Sequence, residues 1–305
     1  MSDFIHSGWA IFIAVTTVVS LLACLALLIV ASRRHVMATD NTTGHVWDND
    51  LKEMNNPLPR WWMWLFVITL VFSAIYLAFY PGLGSYPGTL KWTSQGQYEA
   101  EQAKARAAMK PVYAPFMTMT AEEMALDTKA MGIGQRLFLN NCAQCHGSNA
   151  RGSKSFPNLA DNDWLSGDSL DSIKTTISQG RNGIMPPMAA AVGTAEDVRN
   201  VANYVLSLSD SPHNNLAAQL GKAKFGTCAA CHGGDGKGNQ ALGAPNLTDK
   251  VWLHGWGEQA IVQIITQGKS NPMPAQAALL TPEQIHVLAA YVRSLSRNAP
   301  VAASN

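Results

Sequence analysis

The sequence has little charge and little of what organises a disulfide-stapled or strand-built protein. Its 305 residues include 22 Lys and Arg against 21 Asp and Glu, a formal net charge of +1, and charged residues make up only 14%. No basic run stands out, which excludes a phosphate-binding patch as the organising feature. Cysteine is scarce as well: there are five, four of them in two short motifs, so no disulfide framework is implied. Strand-like alternation of apolar and polar residues is almost absent from the C-terminal part, and helices are expected there. The first eight residues carry Asp3 and no Lys or Arg, so they lack the basic start of a cleaved signal peptide, and the apolar run that follows is expected to be retained.

What is present is organised around Cys142-Ala143-Gln144-Cys145-His146 and Cys228-Ala229-Ala230-Cys231-His232. In a Cys-x-x-Cys-His run two thiols can add to the two vinyl groups of one haem while the adjacent imidazole ligates its iron. A thioredoxin-like pair needs no His after the second Cys and sits in a strand-helix unit, for which there is no pattern here. A zinc site would need the two pairs to converge on one metal, against their separate contexts. Two copies therefore imply two covalently bound haem c groups, held by Cys142, Cys145, Cys228 and Cys231, with His146 and His232 as axial ligands. Cys24, in an apolar run, reads as packing.

Trp9 to Ala31 is a stretch of 23 residues without a formal charge, long enough to cross a hydrocarbon core of roughly 30 Å. Trp61 to Tyr80 is a second, with Trp61, Trp62 and Trp64 at one end and Tyr76, Phe79 and Tyr80 at the other, as in interfacial aromatic belts. Pro81-Gly82 stops it. Arg33, Arg34, Lys52 and Arg60 lie between the two spans, and no Lys or Arg follows Tyr80 until Lys91. The connecting loop is then cytoplasmic, and both termini and the cysteine motifs are on the periplasmic side of a bacterial inner membrane. Residues 1–90 form this two-helix anchor.

Residues 91–129 read as a connector. Ser94 to Met109 is a solvated helical spacer that Pro111 ends, and Thr120-Ala121-Glu122-Glu123 has the form of a capping box. Beyond it the sequence repeats itself. Pro157-Asn158-Leu159 returns as Pro245-Asn246-Leu247, Trp164 as Trp252, Gln179-Gly180 as Gln267-Gly268 and Met185-Pro186 as Met273-Pro274, all at an offset of 88. Two helical domains follow, 130–211 and 215–298, joined by Pro212-His213-Asn214. Each has a helix entering its cysteine motif, a middle helix (Ser169 to Gln179; Glu258 to Gln267) and a last one opened by Thr194-Ala195-Glu196-Asp197 or Thr281-Pro282-Glu283-Gln284. Units this small bury little apolar surface alone, so a haem completes their cores.

The sixth ligand is assigned to Met185 and Met273, which occupy equivalent positions before a Pro. Met188 is the local competitor of Met185, but its counterpart is Gln276. Either methionine can serve the haem of its own repeat or that of the other; both arrangements stay open. His6, His35, His45, His213, His254 and His286 read as surface residues, and Trp164 and Trp252 as core. No residue is assigned a catalytic role.

With these parts placed, the chain resembles the dihaem cytochrome c subunit of cbb3-type cytochrome c oxidases over nearly its full length. The residues that carry this are Asn55-Asn56-Pro57-Leu58-Pro59-Arg60-Trp61-Trp62 at the entry to the second span, Tyr80-Pro81-Gly82-Leu83-Gly84 at its exit, and the tandem repeat. Many members of that family have one membrane helix; here Trp9 to Ala31 adds another. The resemblance implies a mostly α fold, with a membrane hairpin followed by two tandem class I-like cytochrome c domains. It also implies electron input from soluble or membrane-bound cytochrome c donors. From this chain electrons would continue through a monohaem cytochrome c subunit to a catalytic haem-copper subunit that reduces oxygen and pumps protons. The alternatives are the dihaem cytochrome of another respiratory complex and a haem-based ligand sensor.

Overall fold

The computed structural model describes residues 6–33 and 41–297. Arg34, His35, the first five residues with Asp3, and Asn298 lie outside them. The chain divides into two compact units, residues 1–108 and 109–305.

In the first unit α1 (Ser7–Ser32) and α2 (Arg60–Phe79) are the two apolar helices; α1 extends its expected span by a residue or two at each end, and α2 starts and ends one residue before its expected span. Their side chains are almost entirely exposed, Leu27 and Trp64 among them, as befits helices with a lipid rather than a protein surround. Between them, β1 (Thr42–Trp47) and β2 (Leu51–Met54) form an antiparallel hairpin that the sequence did not announce. The exit of α2 caps its own helix. Thr89 N–H and Oγ1 donate to the Ala78 carbonyl, and Leu90 N–H donates to that of Phe79. Two carbonyls left over at the end of the helix are thereby satisfied where water is scarce.

α3 (Ser94–Tyr113) runs on through Pro111 rather than stopping before it. The ring sits in the last turn, where only one backbone bond is forfeited. A 3₁₀ turn, Ala114–Thr118, and α4 (Ala121–Leu126) follow, the latter opened by the expected capping box, with Thr120 and Glu123 bonded reciprocally.

The second unit then alternates α5 (Thr128–Asn141), α6 (Ala143–His146), α7 (Leu170–Gln179), β3 (Arg181–Met185), α8 (Ala189–Val192) and α9 (Ala195–Leu208). The second repeat supplies α10 (Asn215–Lys224), α11 (Gly226–His232), α12 (Glu258–Gln267), β4 (Lys269–Met273) and α13 (Pro282–Arg297). The terminal helices open as expected, on a Thr194–Asp197 box and on Thr281 paired with Gln284.

The repeats do not pack as separate beads. At the end of the second repeat, Leu280 and, from α13, Ile285, Leu288 and Val292 lie against Phe138 of α5 and Ile173 and Ile177 of α7, in the first. α9, at the end of the first, lays Val198, Val201 and Val205 against Phe225, Ile261 and Ile265 of the second. The exchange is fixed by β3 and β4, which pair antiparallel about Gly183 and Asn271. These strands mark an approximate two-fold axis between the repeats, and each chain end crosses to the other side there. One spatial half thus combines α5, α6, α7 and α13; the other combines α9, α10, α11 and α12.

Candidate functional site

The two cysteine motifs fold into matching helical turns. His146 N–H donates to the Cys142 carbonyl at 3.0 Å, which brings the motif round in one turn with both sulfurs on it. Cys142 and Cys228 are half-buried and Cys145 and Cys231 exposed, none of them in a disulfide. Burial, then the neighbouring Cys145, pushes the Cys142 thiol up to about 11, and burial, then the neighbouring Cys231, raises Cys228. At neutral pH both are thiols, the opposite of the activated thiolate of a redox pair. Among the described residues no three His, Cys, Asp or Glu side chains converge as a metal-binding group.

His146 and His232 are buried, at 7% and 8% exposure, and each holds Nδ1 3.0 Å from a carbonyl, of Pro157 and Pro245 respectively. With Nδ1–H donating there, Nε2 is the nitrogen left as an electron-pair donor. The loops that deliver these carbonyls match. Gly152 N–H donates to His146 and Leu159 N–H to Ala150; Gly238 N–H donates to His232 and Leu247 N–H to Gly236, within 2.8 Å throughout. The Pro-Asn-Leu element serves in sequence only as a marker of the repeat. Its role as the orienting carbonyl is missed; its recurrence 11 residues after His146 and 13 after His232 was the available signal.

Met185 and Met273 end β3 and β4, on opposite sides of the two-fold ladder: Met185 pairs with Lys269 and Met273 with Arg181. Their backbones abut the opposite repeat. A Cβ at Gly268 would stand 2.7 Å from the Met185 carbonyl oxygen, and one at Gly180 would collide with that of Met273. Both glycines have φ near +73°, so only glycine lets the strands pass so close. Two further bonds carry the crossing past the methionines: Met188 N–H donates to Ile265 and Gln276 N–H to Ile177, at 2.8 and 2.9 Å. Met185 then packs in the apolar cluster that contains Cys228, Leu247 and Trp252 of the second repeat. Met188 touches the same cluster, so packing alone does not separate the two, whereas the two-fold equates Met185 with Met273.

Trp164 and Trp252 are half-buried and pack against the clusters that Cys142 and Cys228 respectively also flank. His286 is not a surface residue. It is 7% exposed, because residues 113–119 fold over this part of α13 and bring the Phe116 and Met119 backbone beside its ring. His254 is half-buried and shares a hydrogen bond with Ser155 Oγ at 3.2 Å across the seam between repeats, and His213 bonds the Ser211 carbonyl. The seam also brings Asp161, Asp163 and Asp249 within electrostatic reach; burial, then Asp249 and Asp161, lifts Asp163 to about 6.

Residues 39–87 match the N-terminal domain of cytochrome oxidase-cbb3, FixP, and residues 129–205 and 217–292 match twice the family described as cytochrome c oxidase, cbb3-type, subunit III. The chain belongs to the subunit III family of cbb3-type cytochrome c oxidases. It is 67% identical to the cbb3-type cytochrome c oxidase subunit CcoP of Rubrivivax gelatinosus, over 99% of this chain and 100% of that one. It is 39% identical to the FixP subunit of Azorhizobium caulinodans, over 84% and 92%, and 40% identical to that of Bradyrhizobium diazoefficiens, over 83% and 94%. The family matches end in α9 and in α13, so the two matched stretches are repeats in sequence whose last helices trade places in space.

The residues fit the haem c that cytochrome domains of this family hold. Each site offers a thiol pair on one helical turn, a buried imidazole with Nδ1 engaged and Nε2 uncommitted, and a thioether within the same apolar surround or delivered to it by the crossing strand.

Proposed function

We propose that this chain is the electron-input subunit of a cbb3-type terminal oxidase, carrying two haem c groups attached through Cys142 with Cys145 and Cys228 with Cys231. The observation that carries it is the pair of matched turns, each with a buried His held by a proline carbonyl, in a membrane-anchored chain of the subunit III family. Haem c, when bound, supplies one-electron chemistry through its iron.

The chain's residues do the rest. His146 and His232 present Nε2 as ligands, oriented by Pro157 and Pro245. The strand crossing favours exchanged thioethers: Met273 belongs with His146 and Met185 with His232. The apolar clusters around each pair exclude water and tune the potential through burial. With a His and a Met held against each haem, no open position would be left for a substrate, so oxygen chemistry in this reading belongs to the catalytic subunit.

The partners in this reading are the catalytic haem-copper subunit, a monohaem cytochrome c subunit, and cytochrome c donors. In this reading the second unit lies on the periplasmic side, which Arg33, Lys52 and Arg60 between the spans support.

The test is to purify the native complex in mild detergent through a tag on this chain and record its pyridine haemochrome spectrum and copper content. Haem c at two per chain, with haem b and copper, is expected. Haem c without haem b or copper overturns the oxidase assignment.

A further inference from the structure

The loop that follows each haem-ligating His crosses to the opposite repeat, and the two crossings correspond. Ser155 N–H, in the loop after His146, donates to the Leu253 carbonyl at 2.7 Å; Gln240 Nε2, in the loop after His232, donates to the Trp164 carbonyl at 3.0 Å. Their tips meet equivalent glycines. A Cβ at Gly255 would lie 3.8 Å from Lys154 Nζ, and one at Gly167, its counterpart at the offset of 88, would lie 3.5 Å from Gln240 Oε1. Lys154 and Gln240 each follow their His by eight residues, 146 to 154 and 232 to 240. The approximate two-fold therefore places a cation beside one half where it places a neutral amide beside the other.

The next loop of each repeat differs in the same sense. Asp163 and Asp168 correspond to Val251 and Trp256, and Asn162 to Lys250, all at the offset of 88. These loops belong to the two sites, since they carry Trp164, packed against the cluster that Cys142 flanks, and Trp252, packed against that of Cys228. Asp163 is half-buried, and among the described residues no ion pair neutralises Asp163, Lys154 or Lys250. Asp161 with Asp249, and Arg181 with Lys269, are equivalent couples whose charges cancel in the comparison. His254, whose counterpart is Ser166, is kept below the usual imidazole range by burial, then by Lys269 and Lys154, and is uncharged at neutral pH. What is left over is acid beside the site at His146 and lysine beside the site at His232.

We propose that these unmatched charges order the two sites: the site at His232 is the more readily reduced, and electrons pass to it from the site at His146. The proposal rests on the two-haem reading above. A nearby cation stabilises an added electron and a nearby carboxylate opposes it, and the effect is strongest where burial limits screening, as at Asp163. In the step, one electron leaves the iron held by His146, which is oxidised, and reduces the iron held by His232; no proton or co-reactant takes part. Lys154 thus belongs to the first repeat in sequence and serves the second site in space, as the crossed methionines do.

The experiment is a spectroelectrochemical titration of the full chain, purified in mild detergent with its haem c groups attached, at pH 8, where Asp163 is ionised. Two one-electron waves are expected, about tenfold or more apart in their reduction equilibria, which for one electron is about 59 mV. Lys154→Gln is expected to lower the upper wave alone, by about threefold, the size of one partly screened charge. Lys154→Arg, which keeps the charge, is expected to leave both waves in place. Gln240→Lys and Asp163→Asn are each expected to raise the lower wave alone by a similar factor. Lys154 and Gln240 are exposed, so their variants report charge rather than folding. A single wave, a Lys154→Gln shift in the lower wave, in both alike or in neither, or a shift of the upper wave by Gln240→Lys or Asp163→Asn, overturns the proposal. A pyridine haemochrome count below two per chain overturns the two-haem reading and this proposal with it, and is seen before any titration.

Discussion

Met273 stands opposite Arg181 across the β3–β4 ladder, in the repeat to which it does not belong in sequence. Everything that distinguishes this unit from two cytochromes in a row follows from that pairing.

The exchanged thioether ligation predicts asymmetric effects of two equivalent substitutions. With Cys142→Ala and Cys145→Ala, only the site at His232 keeps its haem. In that background Met185→Ala should remove the weak red charge-transfer band of a ferric methionine-ligated haem and lower its potential, and Met273→Ala should leave both unchanged. Ligation within each repeat gives the reverse result.

Gly180 has φ +74° and faces the Met273 carbonyl with no room for a Cβ. Gly180→Ala should cost about 1–3 kcal/mol, read as a lower denaturation midpoint, and should disturb the site at His146 rather than that at His232. Gly268→Ala should do the mirror image through the Met185 carbonyl.

Leu288 lies in the last helix yet is fully buried against the first repeat. Leu288→Ala should destabilise the unit by about 2–5 kcal/mol and loosen the site at His146, its neighbour in space. A fragment of residues 112–211, which lacks α13, leaves Phe138, Ile173 and Ile177 without their cover. It should be dimeric or aggregated by light scattering. A monomer with a native spectrum would mean that α9 can fold back onto its own repeat.

Asp163 is held at about 6 against an ordinary 3.8, so between these values the folded chain binds more protons than the unfolded one. Its contribution therefore falls as pH rises through that window and is flat above it. Asp163→Asn should raise the denaturation midpoint at pH 7 and flatten the change between pH 4 and 6, measured in urea at each pH.

Much of this was legible in the sequence. The cysteine motifs, the spans, the capping Thr residues and the repeat itself are local signals, and each structural counterpart falls within a residue or two of its place. The exchange was not legible, for a physical reason. Equivalent repeats offer equivalent surfaces: Ile285 and Val198 present the same apolar face, so packing within and between repeats satisfies the same pattern. The choice is made at β3 and β4, whose sequences, Arg-Asn-Gly-Ile-Met and Lys-Ser-Asn-Pro-Met, carry no strand alternation and pair only because the two-fold brings them together. His286 was misread for a similar reason: nothing on α13 records that residues 113–119 fold over it. The thioether assignment rests on one such non-local fact, and the cysteines and histidines do not.

The exchange of α9 and α13 also sets a schedule. A polypeptide is made from its N-terminus, and α13, the last helix to be made, is what completes the half that begins with α5. The half built from α9 to α12 has all its helices before α13 is made, whereas the half that begins with α5 has to wait, so a chain interrupted anywhere before α13 leaves that earlier half open.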